Sequence, residues 1–457
     1  MSLLINGTSC AGLHFTGILG SGMSALAQYC AWDGMAVSGS DRLLDSPDVK
    51  DTQDRLATAG CSLLPQDGSG AGTTDAVVVS TAIEDSNPDI AAARKRAIPV
   101  LHRSDVLAAI VATKKTIAVA GTSGKSTVAA MIWEFLQGCA KDASLITGAG
   151  LVRLEEQGLI GNAYKGSSDL LVIEADESDG TCVKYKPYLS VFLNVSKDHK
   201  PVAETLGLFA TLAGQSDIVI TNADDRQLDI IKPSRTFGAT GTYAPGSVIS
   251  VTPRVSFMRE ALTYSLPLPG QHNLSNLLAA LSVCDFLGCS DAGLIKSADG
   301  YKGVKRRFAV SVLPGNIRVI DDYAHNPEKI RAALQTARGF AGRVFAVFQP
   351  HGFGPTRFLK DDLVDMFSQE LTKDDMLFLL PIYYAGGTVQ KDISSAQIVS
   401  LVTKRGKTAT AVKDRDELVS LLKQNAAPGD AVLVMGARDP SLSGLVEDIK
   451  RSLNDVK

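Results

Sequence analysis

Short apolar runs rich in β-branched residues recur along the chain and alternate with longer stretches of helical spacing. Leu13–Ile18, Ala36–Ser40, Ala76–Ser80, Thr116–Ala120, Leu170–Ile173, Val191–Asn194, Arg318–Asp321, Val344–Phe348 and Ala431–Met435 read as strands. This alternation predicts an α/β protein with parallel sheets and helices on both faces. A length of 457 residues suits two to four domains of roughly 100–200 residues each. The strands fall into three groups, giving expected domains 1–106, 107–304 and 305–457, with short linkers near Val106 and Gly303 as the expected hinges.

Composition narrows the function classes. A net charge of -3 leaves no broad basic field for nucleic acid. No apolar run approaches the ~20 residues needed to cross a bilayer, and no charged-then-apolar leader opens the chain. The seven cysteines are scattered, odd in number and without C-x-x-C spacing, which fits reduced thiols in a cytoplasmic protein. No feature calls for an obligate protein partner.

The segment from Thr116 to Thr127 carries the strongest chemical signal. A strand runs into Gly121-Thr-Ser-Gly-Lys-Ser-Thr127, and a helix follows from Val128 to Leu136. Glycines there turn backbone N–H groups toward a phosphate, and the helix N-terminus adds its positive end. Lys125 is expected as an exposed contact to the β- and γ-phosphates, and the Ser126 hydroxyl as a Mg²⁺ ligand. The loop is a variant, because Val119 stands where a glycine usually precedes the lysine by six residues.

Leu170–Ile173 leads into Glu174, Asp176, Glu177 and Asp179, carboxylates placed where a parallel sheet meets its ligand. Val191–Asn194 leads into His199, whose ring could supply a nitrogen to a second metal ion. Near the N-terminus, Gly17, Gly20 and Gly22 form a glycine turn between strand and helix, and Asp41 follows the next strand. An acid about twenty residues on also fits a nicotinamide-dependent enzyme or a nucleotide-binding regulator, but the order G-x-x-G-x-G differs from the dinucleotide fingerprint.

Taken in order, these segments resemble the Mur ligases, the ATP-dependent amino-acid ligases of peptidoglycan synthesis, and among them the alanine-adding branch. Gly121 to Ser126 is similar to the family's ATP loop, and Glu174 to Asp179 to its acidic motif. Asn194 and His199 match its Asn…Asp-His segment, and His272, Asn273 and Asn276 its adenine segment. Arg306-Arg-Phe308 resembles the opening of the family's third domain; Asp321 to Pro327 resembles its next motif. The resemblance implies a Rossmann-like N-terminal domain holding a UDP-linked sugar carboxylate on Gly17, Gly20, Gly22 and Asp41. It implies a central phosphate-loop domain binding ATP through Gly121 to Thr127, including Thr122, Ser123 and Gly124. It also implies a Rossmann-like C-terminal domain presenting an amino acid or short peptide. Arg307 and Asp322 are then expected at the nucleotide, and Tyr323, His325, His351 and Arg357 at the amine. Glu177 and His199 are the first expected metal ligands and Glu174 a weaker one.

The third domain departs from that pattern. In Phe348-Gln-Pro-His-Gly-Phe-Gly-Pro-Thr-Arg357, Gly352 and Pro355 stand where the alanine-adding branch has arginines. Met435-Gly-Ala-Arg-Asp-Pro-Ser441 replaces its Gly-Ala-Gly segment, and Tyr383-Tyr-Ala-Gly-Gly387 resembles its Tyr-Ala-Ala-Gly loop. A different amine, such as a tripeptide, or a different carboxylate therefore stays open beside the alanine-adding reading.

Overall fold

The computed structural model describes residues 2–72, 74–198, 200–384 and 390–454. The chain forms two compact units, one comprising Met1–Val248, Phe257–Leu266 and Ser275–Val304, the other Ile249–Ser256, Pro267–Leu274 and Lys305–Lys457. The strand-and-helix alternation read from the sequence is the α/β architecture observed.

The first unit contains two large sheets, one wholly parallel and the other parallel except for the edge strand Ala163–Tyr164. One has five strands in the order Cys61–Leu63, Ala36–Ser40, Gly12–Thr16, Ala76–Val79 and Val100–His102, all parallel. The strand Gly12–Thr16 ends short of the expected Ile18, because Gly17 turns the chain at φ +80°. The second sheet has seven strands, with Lys115–Ala120 in the middle between Leu170–Glu174 and Leu189–Phe192. Every residue from Thr116 to Ala120 is buried, as a strand covered on both faces requires. The register pairs Glu174 with Val119 and Phe192 with Ala120, so all three strands end together. That strand thus begins two residues before the expected Val191, and Asn194 lies beyond it in a loop. The stretch around Val106, expected as a linker, belongs to the helix Arg103–Val111, and Val106 is buried.

The second unit is built on a six-stranded sheet in the order Ala309–Val312, Arg318–Asp322, Ala431–Gly436, Val344–Gln349, Met376–Leu379 and Ala409–Ala411. Only the edge strand Ala309–Val312 runs antiparallel. Apolar residues on opposite faces of this sheet form two separate cores, as helices packed on both sides demand. Among the described residues, no helix is long and apolar enough to cross a membrane.

Candidate active site

The loop after Lys115–Ala120 owes its shape to two glycines. Gly121 has φ +146°, and a Cβ there would lie 2.9 Å from the Leu193 Cβ. Gly124 sits at φ +90° as the N-cap of the helix Lys125–Gly138, where a Cβ would lie 2.6 Å from Asn276 Oδ1. Only glycine suits either position. Asn194 fastens the loop from the neighbouring strand end: its Oδ1 accepts from Ser123 N at 2.9 Å and its Nδ2 donates to Ser123 O at 3.0 Å. Thr122 accepts from Ser196 N at 3.0 Å, and Thr127 is buried at the helix start.

Lys125 is not the exposed contact the sequence led us to expect. Its side chain is 13% exposed, and its Nζ donates to Gly121 O at 2.8 Å and to Glu177 Oε2 at 2.7 Å. Asp176 lies 3.4 Å away. Burial works against the lysine's charge, but Glu177 and Asp176 hold its pKa above the ordinary value. The same pairing, against the cost of burial, keeps the Asp176 carboxyl below the usual range.

The acidic residues divide the work in a way the sequence did not order. Ser126 Oγ donates to Glu174 Oε2 at 3.0 Å, so Glu174, the weaker of the two expected carboxylate ligands, faces the serine, while Glu177 faces the lysine. The other Glu174 oxygen accepts from Thr147 Oγ1 and from Gly148 N. Asp179 accepts from Thr181 and from Arg103 Nη2, the latter at 3.0 Å. His199 lies outside the described residues, and among those described no group of three His, Cys, Asp or Glu is arranged to hold a metal ion.

The N-terminal glycine turn is also in the first unit. Gly20 is the N-cap of the helix Ser21–Trp32. Asp41 closes the turn by accepting from Leu19 N at 3.1 Å and Leu43 N at 3.0 Å. Gly22 faces Arg103, whose Nη1 would be 2.9 Å from a Cβ. Arg103 therefore joins this turn to Asp179 of the acidic cluster, a link that no motif marks in the sequence. Asn276 abuts Gly124 in this unit, whereas His272 and Asn273 belong to the second, where Asn273 Nδ2 donates to Pro269 O at 2.7 Å.

In the second unit, the strand Arg318–Asp322 delivers Asp322, Tyr323 and His325 to the C-terminal end of the sheet. Asp322 accepts from Phe308 N at 2.8 Å and Ala324 N at 2.7 Å. Burial pushes its carboxyl up to about 6, with Arg307 pulling the other way. The guanidinium of Arg307 lies 4.9 Å from the centre of the Tyr323 ring. His325 stands edge-on to Tyr323 at 5.7 Å and to His351 at 5.4 Å. The expected amine-site residues Tyr323, His325 and His351 are thus together. Arg357 is not available in the same way, because its Nε and Nη2 bind Asp392. Residues 385–387 of the Tyr383–Gly387 segment lie outside the described residues.

A glycine-shaped loop closed by a lysine and a serine at a helix N-terminus, an all-oxygen acidic cluster beside it, and a second α/β unit are the arrangement found in nucleotide-dependent enzymes of the phosphate-loop class. Comparison with known proteins gives the family. Residues 12–115 match the Mur ligase family catalytic domain, 119–284 the Mur ligase middle domain, and 306–438 the Mur ligase glutamate ligase domain. The chain is 34% identical to a UDP-N-acetylmuramate–L-alanine ligase of Pelotomaculum thermopropionicum, over 97% of this chain and 98% of that one. It is 33% identical to one of Rubrobacter xylanophilus, over 94% and 98%. The crystal structure of UDP-N-acetylmuramate-alanine ligase from Thermotoga maritima is similar with a TM-score of 0.77 at 27% identity, covering 97% of this chain and 98% of that one. The chain belongs to the Mur ligase family and is an ATP-dependent amide-forming ligase.

Proposed function

We propose that this ligase joins L-alanine, or an amine closely like it, to the carboxylate of UDP-N-acetylmuramate in the cytoplasm. The observation that carries this reading is its likeness, over nearly the whole chain, to enzymes named for that reaction. A carboxylate is a poor electrophile toward an amine. Its oxygen attacks the γ-phosphorus of ATP, ADP leaves, and the acyl phosphate now has a good leaving group. The amine attacks the carbonyl carbon, and the tetrahedral intermediate loses a proton and expels inorganic phosphate to leave the amide.

The protein's share is position and charge. Backbone N–H groups of Gly121 to Thr127 cradle the phosphates, and Lys125 offsets the charge that develops on the transferring group. Phosphate oxygens compete with Glu177 for Lys125, so binding the nucleotide redistributes an existing ion pair. Ser126 and Glu174 form an oxygen donor pair that suits Mg²⁺, which commonly takes one or two protein oxygens plus phosphates. Bound there, Mg²⁺ supplies positive charge to the phosphates; Glu177 and His199 are further proposed ligands. Gly17, Gly20, Gly22 and Asp41 are proposed to hold the UDP portion, and His272, Asn273, Asn276, Arg307 and Asp322 the nucleotide. His325 and His351 are proposed to orient the amine. The functional domains are proposed as 1–106, 107–304 and 305–457.

A second reading, with a different amine, is favoured by the Arg357–Asp392 pair and by Gly352 and Pro355, which leave that segment without a free cation. Purified protein with ATP, Mg²⁺ and UDP-N-acetylmuramate tests both. Phosphate release that depends on L-alanine and saturates in the micromolar range supports the first. Release only with other amines or short peptides supports the second, and no amine-dependent release across a wide panel overturns the substrate assignment.

A further inference from the structure

The cations at the C-terminal end of the six-stranded sheet are almost all committed to the fold. Arg306 donates to Gly436 O at 2.6 Å and pairs with Asp321 at 3.4 Å. Arg415 pairs with Asp439 at 2.9 Å and also donates to Ser441. Arg357 is held by Asp392; Arg307 lies over Tyr323 and is the one proposed for the nucleotide.

Arg438 differs. Its side chain is exposed, and among the described residues its guanidinium has no carboxylate, carbonyl or ring partner. Its backbone, by contrast, is fixed. It lies at φ +44°, in the left-handed region that a residue with a long side chain occupies only when its surroundings impose it. Its N–H donates to the Tyr323 hydroxyl at 3.4 Å. The next residue, Asp439, is buried and anchored by Arg415 and Ser441.

The sheet register brings this arginine to the ring cluster. Asp322 pairs with Met435 and Gln349 with Gly436, so Tyr323, His351 and Arg438 each follow a strand that ends on the same edge. Ligands of open parallel sheets bind at that edge. An amino acid that must present its amine carries one negative group by which it can be held, its own carboxylate. A guanidinium fork matches a carboxylate with two parallel hydrogen bonds.

We propose that Arg438 binds the α-carboxylate of the incoming amino acid, with the Tyr323 hydroxyl positioning the Arg438 backbone. The inference rests on the substrate reading above and adds the residue that selects an amine carrying an α-carboxylate.

The test uses the full-length enzyme with ATP, Mg²⁺ and UDP-N-acetylmuramate, with L-alanine and L-alaninamide compared as amines. Arg438→Gln should raise the KM for L-alanine about 10- to 100-fold, the loss expected for one charge-assisted pair. The KM values for L-alaninamide, ATP and UDP-N-acetylmuramate should stay within about twofold. Arg438→Lys should fall between wild type and Arg438→Gln. An unchanged KM for L-alanine, or equal losses for L-alanine and its amide, overturns the inference. If the variants fail to fold, phenylglyoxal labelling of the wild type, mapped by mass spectrometry, gives the answer. Protection of Arg438 by L-alanine and not by its amide supports the inference, and equal labelling overturns it. A wild type with no amine-dependent phosphate release overturns the substrate reading and this inference together; active wild type with an indifferent Arg438 overturns this inference alone.

Discussion

Lys125→Ala is expected to damage both the fold and the chemistry, and the two losses can be separated. In the structure Lys125 is 13% exposed and Glu177 6%, with their charges 2.7 Å apart. Removing one partner of a buried pair leaves the other charge without compensation and costs about 3–5 kcal/mol. Lys125→Ala should therefore lower the stability of the first unit by roughly that amount. Glu177→Gln in the same chain should recover most of it, because the orphaned charge is gone. Turnover should behave otherwise. Loss of a charge contact to the transferring phosphoryl group costs about 10²- to 10³-fold, and Glu177→Gln should not restore it. Urea titrations followed by tryptophan fluorescence read the stability, since Trp133 is buried in the helix that Lys125 begins. Phosphate release reads the turnover. The reasoning is refuted if Lys125→Ala is as stable as wild type, or if the double variant regains activity along with stability.

Three further outcomes follow from the geometry. Gly124→Ala forces a Cβ at φ +90° to within 2.6 Å of Asn276 Oδ1, so it should cost at least about 1–2 kcal/mol and weaken ATP binding in calorimetry. Burial pushes the Asp322 carboxyl up to about 6, above the ~3.9 of an unfolded aspartate, so the native state holds this proton more tightly. Its contribution to stability is therefore lost as pH rises from about 4 to about 6, and thermal melts of Asp322→Asn across that window should show a flatter dependence. Arg357→Ala breaks an exposed pair with Asp392, 45% and 52% exposed, so it should change stability by less than about 1 kcal/mol and leave the KM for L-alanine near wild type.

Much of the architecture was legible because strands in parallel sheets are continuous apolar runs and the loops between them carry punctuating glycines. The turn from Gly121 to Gly124 could be read for the same reason: the two glycines mark backbone conformations that other residues resist. The partners of the loop could not. Glu174 and Glu177 are three residues apart and chemically alike, and only the strand end at Glu174 decides that one faces Ser126 and the other Lys125. The burial of Lys125 was missed for the same reason, since nothing in the chain's order indicates that a lysine meets a glutamate fifty-two residues later. Asp41 was expected to hold the UDP portion; that its carboxylate also accepts from Leu19 N was not legible, because that contact depends on how the glycine turn folds back. Arg438 was visible only as a departure from a pattern; its lack of a partner depends on which carboxylates its neighbours Arg306 and Arg415 have taken.

Oxygen transfer tests the central claim most directly. UDP-N-acetylmuramate labelled with ¹⁸O in both carboxylate oxygens is incubated with the enzyme, ATP, Mg²⁺ and an accepted amine, and the released phosphate and amide are weighed by mass spectrometry. The account predicts one ¹⁸O in each inorganic phosphate and the other in the amide carbonyl, because the carboxylate oxygen that attacks the γ-phosphorus leaves with it. Unlabelled phosphate with both labels lost or retained on the sugar, or release of AMP in place of ADP, would contradict an acyl-phosphate ligase.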